Sequence, residues 1–237
     1  MAYGTLYLIP CPISDETAPW DVLPAANRAV MDALDYFIVE NTRTARRFLS
    51  RAGIARPIEE LEFRELNEHT VAGREVEELV APILAGRSAG VISEAGVPGV
   101  ADPGALVVEA CHRRGVRVVP LVGPSSILLA VMASGLNGQS FAFNGYLPVK
   151  PPERAKAIRF FERRARSEGQ SQLFIEAPYR NAKLLEELVR TLAPETRLTV
   201  AADLTAPTER IETRTVGEWR RMSLPELNKR PAIFIIG

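Results

Sequence analysis

A loop rich in glycine and proline, residues 93–104, has the composition of a ligand-binding loop. It reads Ser-Glu-Ala-Gly-Val-Pro-Gly-Val-Ala-Asp-Pro-Gly and follows an apolar run, 89–92, that is typical of a buried strand. Because glycine leaves the backbone bare and proline stiffens it, a ligand can approach main-chain N–H and C=O groups closely. Ligands usually bind at the carboxyl ends of strands in open α/β sheets. Alternatively, the loop only connects the strand sharply to the next helix and binds no ligand.

A second segment, 123–126, combines two hydroxyl groups with a helix start. Its sequence, Gly-Pro-Ser-Ser, leads into an apolar helical pattern at 125–134. Free N–H groups at a helix N-terminus attract carboxylate or phosphate groups, and Ser125 and Ser126 would add hydroxyl groups. An ordinary helix cap explains one serine but not both.

Charged side chains follow two further strand patterns. Glu40 comes directly after the strand pattern Tyr36–Val39, where a carboxylate needs a partner, and Arg43 and Arg46 are the candidates. The sequence Glu-Ala-Pro-Tyr-Arg at 176–180 is again a strand end followed by a polar turn. Structural ion pairing and a role in an active site both stay open for Glu40. Four such strand-end motifs in one chain favour a ligand cleft over coincidence.

The histidines and cysteines form no metal-binding or redox pattern, so no metal is expected. His112 lies in a helical pattern and is interpreted as structural, whereas His69 lies in a connecting segment where it would line a cleft. Cys11 and Cys111 are far apart, and both thiols are expected to pack in the core. The sparse cysteines and the lack of a leader pattern predict a cytoplasmic protein.

Several common enzyme classes are excluded by missing signatures. The sequence has no Gly-x-Gly-x-x-Gly after its first strand, no Gly-Lys-Ser/Thr and no Gly-x-Ser-x-Gly. These absences argue against a Rossmann dinucleotide site, a P-loop NTPase and an α/β-hydrolase. No apolar run reaches the roughly 18 residues that a membrane span requires, so no membrane partner is expected.

Short apolar runs alternate with helical periodicity, which predicts an α/β protein with a mainly parallel sheet. The predicted strands are Thr5–Ile9, Tyr36–Val39, 90–92, 117–121, 141–143, 172–175, 198–201 and Ala232–Ile236. The predicted helices are 25–34, Thr42–Ala52, 71–85, 106–114, 125–134, 153–166 and 182–192. An alternating pattern at 210–216 predicts some antiparallel pairing in the second half.

The formal net charge is zero, but the two halves differ. Residues 1–121 carry a net charge of −5 and residues 122–237 a net charge of +5, which predicts two domains with these bounds. Much of the positive charge lies at 150–166. This stretch is either a surface for an anionic partner or a solvated amphipathic helix with Ile158 and Phe161 turned inward.

Taken together in chain order, these motifs resemble the tetrapyrrole methylase superfamily, and most of all its branch of cytidine 2′-O-methyltransferases acting on ribosomal RNA of the small subunit. Residues 4–13 resemble the opening strand and turn of that branch. The other matching segments resemble Glu-Asp-Thr-Arg at 40–43, Ser-Asp-Ala-Gly-Thr-Pro-Gly-x-x-Asp-Pro-Gly at 93–104, Val-Val-Pro-x-Pro-Gly-Pro-Ser at 119–126, Phe-x-Gly-Phe-Leu-Pro-Arg-Lys at 143–150 and Glu-Ser-Pro-His-Arg at 176–180. The sequence departs from these patterns at Asn41, Glu94, Val149 and Tyr179, and its opening turn lacks the Gly-Asn pair.

The resemblance implies a two-domain α/β fold, with a mainly parallel N-terminal sheet in 1–121 and a mixed C-terminal sheet in 122–237. It implies S-adenosyl-L-methionine as the cofactor, bound in the cleft between the domains. The implied cofactor-binding residues are Ser93, Ala95, Gly96, Val97, Ser125, Ser126, Ile175, Ala201 and Ala202. The catalytic candidates are Glu40, Arg43, Glu176 and Arg180, with His69 as a further candidate base.

The predicted activity is transfer of a methyl group from S-adenosylmethionine to the ribose 2′-oxygen of a cytidine in ribosomal RNA. The predicted partners are ribosomal RNA or the small ribosomal subunit, and a second copy in a homodimer. Two alternatives stay open: a methyltransferase of a small molecule or tetrapyrrole, and an S-adenosylmethionine-binding protein that has lost catalysis. The basic stretch favours RNA over a small molecule, and the changes at Asn41 and Tyr179 give weight to lost catalysis.

Overall fold

The structure, a computed structural model, describes residues 2–66 and 73–237. The chain divides into two compact units, one that reaches Ser125 and one that spans Ser126–Gly237. This division falls slightly beyond the boundary predicted after Leu121. His69, which we expect to line a cleft, lies outside the described residues.

The first unit is built on a five-stranded sheet in which every strand pair is parallel, as the sequence predicts. The strands are β1 (Thr5–Ile9), β2 (Tyr36–Val39), β3 (Glu62–Glu65), β4 (Ala89–Ile92) and β5 (Arg117–Pro120), in the order β3-β2-β4-β1-β5. The helices are α1 (Pro19–Val22), α2 (Ala26–Ala33), α3 (Thr42–Ala52), α4 (Arg74–Leu84) and α5 (Gly104–Arg113). A short 3-10 turn, Ile58–Glu60, precedes β3.

Alternation along β2 sends apolar side chains to both faces of this sheet. Tyr36 and Ile38 pack in a cluster with residues of α4 and α5, whereas Phe37 and Val39 pack in a cluster with residues of α3. On the neighbouring β4, a Cβ atom on Gly90 would lie 2.5 Å from Ile9 Cδ1 and 3.0 Å from Phe37 Cδ1, so any larger residue there would force these buried side chains to shift. The candidate site residues follow the carboxyl ends of β2 and β4, which are neighbours in this sheet.

The second unit is built on a five-stranded mixed sheet, again as predicted. Its elements are α6 (Ser126–Ser134), β6 (Phe141–Tyr146), α7 (Pro151–Glu168), β7 (Ser171–Ile175), α8 (Asn181–Thr191), β8 (Arg197–Ala202), β9 (Arg210–Thr215), α9 (Val216–Trp219) and β10 (Ala232–Ile236). The strand order is β6-β7-β10-β8-β9. The pair β6–β7 is parallel, and the other pairs are antiparallel.

The two faces of the mixed sheet pack against different helices. On one face, Phe174 and Phe234 are fully buried among residues of α7, α8 and α9, including Ile158 and Trp219. On the other face, Leu173, Ala201, Ile233 and Ile235 pack against Ala130 and Val131 of α6. Because α6 is apolar almost throughout, it can pack here without a polar side turned toward the sheet.

Two elements differ from the prediction. The strand β3 was not predicted, because only Phe63 of its four residues, Glu-Phe-Arg-Glu, is apolar; its ring stacks on Phe37 with the centroids 5.7 Å apart. The strand β6 continues to Tyr146 beyond the predicted end at Phe143, with an irregularity before Tyr146. Among the described residues, no helix is long and apolar enough to cross a membrane.

Candidate functional site

In the first unit, hydrogen bonds from Cys11 hold the loop that follows β4 in place, and one of them goes to Gly96. The N–H of Cys11 donates to the carbonyl of Gly96 at 2.9 Å, and its thiol donates to the carbonyl of Ser93 at 3.3 Å. Burial raises the pKa of the Cys11 thiol to about 12, so it stays a protonated donor at neutral pH. Gly96 and Gly99 adopt φ angles of 72° and 82°, which let the loop turn tightly.

Asp102 closes the same loop onto the start of α5. Its Oδ1 atom accepts hydrogen bonds from the N–H groups of Gly99 at 2.9 Å and Gly104 at 2.6 Å. Its Oδ2 atom is buried and receives no N–H or hydroxyl hydrogen bond from the described residues. A buried carboxylate oxygen is costly to leave unpaired, so a proton or another donor is still required at this atom.

Glu40, directly after β2, lies against Asp102. Burial raises the pKa of Glu40 to about 7, and the hydrogen bond with Asp102 and the charges of Asp102 and Glu94 act in the same direction. The N–H of Glu94 donates to Glu40 Oε1 at 3.0 Å and acts the other way. Two carboxyl groups can hydrogen bond to each other only when one of them carries a proton, and the raised pKa of Glu40 lets this group keep its proton up to near neutral pH.

The arginines expected to neutralise Glu40 are directed elsewhere. Arg43 is exposed, and Arg46 lies over the ring of Phe63 at 5.6 Å from its centroid. Within the described part of the chain, neither arginine forms an ion pair with Glu40, so the expected pairing is wrong. Glu40 instead lies beside a second carboxyl group, that of Asp102, so the end of this strand carries excess negative charge.

Asn41 starts α3 as the sequence predicts. Its side-chain oxygen accepts hydrogen bonds from the N–H groups of Arg43 at 2.9 Å and Thr44 at 3.2 Å. The hydroxyl of Thr44 donates to Glu94 Oε1 at 2.8 Å. The two family departures Asn41 and Glu94 are therefore linked through the first turn of α3, which joins the loop after β4 to the end of β2.

The predicted cofactor-binding residues of the first unit lie on the loop after β4 or near it. Ser93 is buried and donates to the carbonyl of Ala95 at 3.4 Å, whereas Ala95 itself is exposed. A Cβ atom on Gly96 would lie 3.2 Å from the carbonyl oxygen of Pro124, so this glycine is also required for packing. Val97 is one wall of an apolar cavity of about 440 Å³. The cavity is lined by Leu8, Val97, Pro98, Gly99, Val100, Ala105, Val108, Glu109, Pro120 and Leu121.

The predicted serines lie on either side of the division between the units. Ser125 ends the first unit, and Ser126 begins the second as the first residue of α6. Both are half-buried. The helix start that the sequence predicts is therefore present, one residue later than expected.

The predicted cofactor-binding residues on the strands of the second unit do not all share one face. Ile233 of β10 pairs with Ile175 of β7 on one side and with Ala201 of β8 on the other, so these three point to the same face. Ala202 points to the opposite face and packs in the cluster with α7 and α8. Only the backbone of Ala202 is left to contact a ligand on the face of Ile175 and Ala201.

A buried ion network lies behind the 176–180 motif. The side chain of Glu176 is 1% exposed, and its Oε1 atom accepts hydrogen bonds from Arg180 Nη2 at 2.5 Å and from the N–H of Ala177 at 2.8 Å. Its Oε2 atom lies 4.0 Å from Arg154 Nη2. On the other side, Arg154 Nη1 lies 3.1 Å from Glu187 Oε2. Two arginines thus balance two glutamates inside the second unit.

Arg154 also holds the loop between β6 and α7. Its Nε donates to the carbonyl of Pro148 at 2.7 Å, and its Nη2 donates to the carbonyl of Val149 at 2.8 Å. The residue is 2% exposed. Interpreting the whole basic stretch as surface is therefore wrong for Arg154, because a side chain at this depth cannot reach an outside phosphate.

Sequence reasoning placed Arg154 among the cations that would contact phosphate, and it gave no role to Asp102 or to the buried Glu187. The sequence itself indicates that Arg154 is buried, because it lies four residues before Ile158 and seven before Phe161, which is the spacing of one helical face. That face is the one predicted to point inward. No comparable signal links Asp102 to Glu40, because the two residues are far apart in the sequence.

Comparison with known proteins places these features in a family. A family model described as Tetrapyrrole (Corrin/Porphyrin) Methylases matches residues 15–219. The chain is 31% identical over 233 residues to the Ribosomal RNA small subunit methyltransferase I of Xylella fastidiosa, covering 98% of this chain and 80% of that protein. It is 30% identical to the protein of the same name from Escherichia coli O157:H7, covering 98% of this chain and 77% of that protein.

Solved structures show the same fold. The methyltransferase CobJ superposes with a TM-score of 0.64 at 18% identity, covering 99% of this chain and 94% of that chain. The uroporphyrin-III-C-methyltransferase from Thermus thermophilus superposes with a TM-score of 0.55 at 19% identity, covering 99% and 92%. At these identities the likeness concerns the fold alone.

Proposed function

The chain belongs to the tetrapyrrole methylases, and from this premise we propose that it is an enzyme that methylates ribosomal RNA of the small subunit, at the ribose 2′-oxygen of a cytidine. The observation that carries the proposal is the identity of about 30% along nearly the whole chain to ribosomal RNA small subunit methyltransferases. The exposed cations of α7 support an anionic acceptor.

The methyl donor is S-adenosylmethionine, which supplies an electrophilic methyl group on a positively charged sulfonium. The loop after β4 fits such a donor, because Gly96 and Gly99 let it turn tightly without side chains, and three carboxyl groups beside it form no ion pair with an arginine among the described residues. Those carboxyl groups, on Glu40, Glu94 and Asp102, favour a cationic ligand. We propose Ser93, Ala95, Gly96 and Val97 as donor-binding residues of the first unit and Ile175 and Ala201 as those of the second.

In the proposed reaction, the chain's own residues align the acceptor and accept its proton. A ribose hydroxyl is a poor nucleophile, so a general base near its operating pH assists the transfer. We propose Glu40 for this role, because its pKa of about 7 matches neutral conditions. Arg180 and Arg43 would hold phosphate groups of the acceptor. Glu176 is a positioning residue for Arg180, since its Oε1 atom is occupied by that arginine.

We also infer a homodimer in the cytoplasm. Both inferences follow from the family resemblance, and the two buried, unpaired cysteines support a reducing compartment. Light scattering on the purified protein gives the oligomeric state directly, and a monomeric mass would refute the dimer.

The second candidate is a methyltransferase of a small molecule or tetrapyrrole, favoured by the fold shared with CobJ and uroporphyrin-III-C-methyltransferase. A third, an S-adenosylmethionine-binding protein without catalysis, is favoured by the changes at Asn41 and Tyr179. All three bind the donor, so donor binding alone does not separate them.

The deciding experiment is mass spectrometry of ribosomal RNA from a strain that lacks this protein. We expect one cytidine of the small-subunit RNA to lose a methyl group and to regain it with purified protein, S-adenosylmethionine and small subunits from that strain. Unchanged RNA from that strain, together with no methyl transfer to its subunits, would reject the RNA proposal.

A further inference from the structure

We propose that Tyr146, Tyr179 and Arg180 form a stacking platform that binds an unpaired base of single-stranded RNA. This inference rests on the proposed function, because it describes how the acceptor would be recognised. It adds two tyrosines to the site, one of which, Tyr179, is a departure from the family pattern.

The topology of the second unit places the three residues at one edge of its sheet. The strands β6 and β7 are parallel, and Tyr146 at the end of β6 pairs with Ile175 at the end of β7. The chain leaves β7 through Glu176 into the 3-10 turn Pro178–Arg180. Both tyrosines therefore lie at the carboxyl edge of the same strand pair.

The two tyrosines are unusually accessible for their size. Tyr146 is 64% exposed and Tyr179 is 67% exposed. The guanidinium carbon of Arg180 lies 5.0 Å from the centroid of the Tyr179 ring, and Arg180 Nη1 donates to the Tyr179 hydroxyl at 2.9 Å. A guanidinium that lies over a tyrosine ring adds a second planar group on which a base can stack.

Buried ion pairs and hydrogen bonds hold the platform residues in place. Arg180 donates to Glu176, whose side chain is 1% exposed, and Glu176 in turn lies against the buried Arg154. Arg154 also fixes the Pro148 and Val149 carbonyls, which follow Tyr146 along the chain. One buried network thus supports both sides of the platform, and such preorganisation reduces the entropy lost on binding.

Charge and chemistry favour single-stranded RNA as the occupant. Exposed aromatic rings and arginine planes stack unpaired bases, and cations beside them track the phosphate backbone. The exposed cations Lys150 and Lys183 flank the platform in the sequence, and α7 adds Lys156, Arg159 and Arg163. An apolar protein partner would instead be matched by aliphatic side chains, of which only Val149 is exposed here among the platform's neighbours in sequence.

The test uses a short single-stranded oligocytidine that carries one 2-aminopurine, whose fluorescence falls when the base stacks. We expect quenching by the wild-type protein, and about 10-fold weaker binding for each of Tyr146→Ala and Tyr179→Ala, with quenching lost. Tyr179→Phe should bind like the wild type, because stacking needs the ring and not the hydroxyl. The salt dependence of binding should not change, since no phosphate contact is removed.

Tyr3→Ala, which changes a tyrosine of the first unit that is 52% exposed, is the matched control and should leave binding unchanged. If the wild type binds and quenches while both alanine variants do the same, the platform is wrong and the proposed function stands. If the wild type binds no RNA and methylates none, the proposed function fails, and the platform fails with it. Preferential binding of duplex over single-stranded RNA would also overturn the platform.

Discussion

The carboxyl group of Glu40 lies against that of Asp102 at the edge of the first sheet, where no arginine among the described residues neutralises them. Asp102 accepts hydrogen bonds from two backbone N–H groups through Oδ1, and its buried Oδ2 receives no N–H or hydroxyl hydrogen bond from the described residues. The arrangement is costly without a ligand, because the second negative charge appears close to the first as the pH rises. A cation placed beside the pair would remove that cost.

The first prediction concerns stability and pH. Since folding raises the pKa of Glu40 from its ordinary value of 4.5 to about 7, the folded protein binds this proton more tightly than the unfolded chain. Glu40 therefore lowers the free energy of unfolding as the pH rises through that window. Glu40→Gln should be more stable than the wild type at pH 8, by about 1 to 2 kcal/mol after solvent screening. The advantage should vanish below the ordinary pKa.

Asp102→Asn provides the control for this prediction. Its amide can keep the loop contacts with Gly99 and Gly104 while it donates to Glu40, so the pKa of Glu40 should fall toward its ordinary value. Carboxyl titration by NMR measures this pKa directly. A wild-type pKa of Glu40 below 5, or an unchanged pKa in Asp102→Asn, would contradict the proposed effect of burial and of Asp102 on Glu40.

The second prediction concerns the donor. If the sulfonium lies beside Glu40, binding should favour the ionised carboxylate, so the affinity for S-adenosylmethionine should rise from pH 6 to pH 8. The gain is about tenfold for each unit by which the bound pKa falls. S-adenosylhomocysteine lacks the sulfonium charge and should show a weaker dependence. Calorimetry at several pH values measures the affinity for each ligand. In Glu40→Gln, neither affinity should depend on pH. If the affinities for the two ligands change equally with pH in the wild type, the sulfonium does not lie beside Glu40.

The third prediction concerns the buried network of the second unit. Arg154→Met should destabilise the protein by about 3 to 5 kcal/mol, because it leaves Glu187 buried without its partner. The double variant Arg154→Met with Glu187→Leu should be more stable than the single variant, since both charges are then gone. Denaturant unfolding measures these changes. Arg164→Met, which removes a surface pair with Glu168, is the control and should change stability little. If Arg164→Met destabilises the protein as much as Arg154→Met, burial of the network does not explain the effect.

The fourth prediction concerns the exposed face of α7. Replacing Lys156, Arg159 and Arg163 by glutamine should weaken RNA binding and reduce its salt slope by about 0.7 for each lost contact with a single strand. Donor affinity should stay unchanged. Arg74→Gln, an exposed cation of the first unit, should alter neither quantity. Identical RNA affinity and salt slope in the triple variant would show that α7 is only a solvated helix.

Local patterns were enough to predict much of the fold. The bounds of β1, β2, α3 and β10 agree with the sequence prediction, because each is a compact apolar run or a capped amphipathic helix. Asn41 is a good example, since its type and position alone identify the start of α3. β3 escaped prediction because an edge strand with a single apolar residue carries almost no periodic signal.

The site was less predictable because its key contacts join distant positions. Glu40 was recognised as a carboxylate in need of a partner, but the partner is the acid Asp102 rather than an arginine. Charge complementarity suggests the opposite choice, and only the folded loop, which turns at Gly96 and Gly99, shows why an acid lies there. The roles of the cofactor-binding residues remain predictions.

The position of β10 in the second sheet has a consequence for biosynthesis. β10 is last in sequence among the described strands, yet it lies between β7 and β8. During translation the first unit can complete its sheet early, whereas the second is held as two separate strand pairs until residues 232–236 leave the ribosome. A nascent chain that stalls before that point keeps two unpaired strand edges and an uncovered core, a form that invites aggregation or chaperone capture.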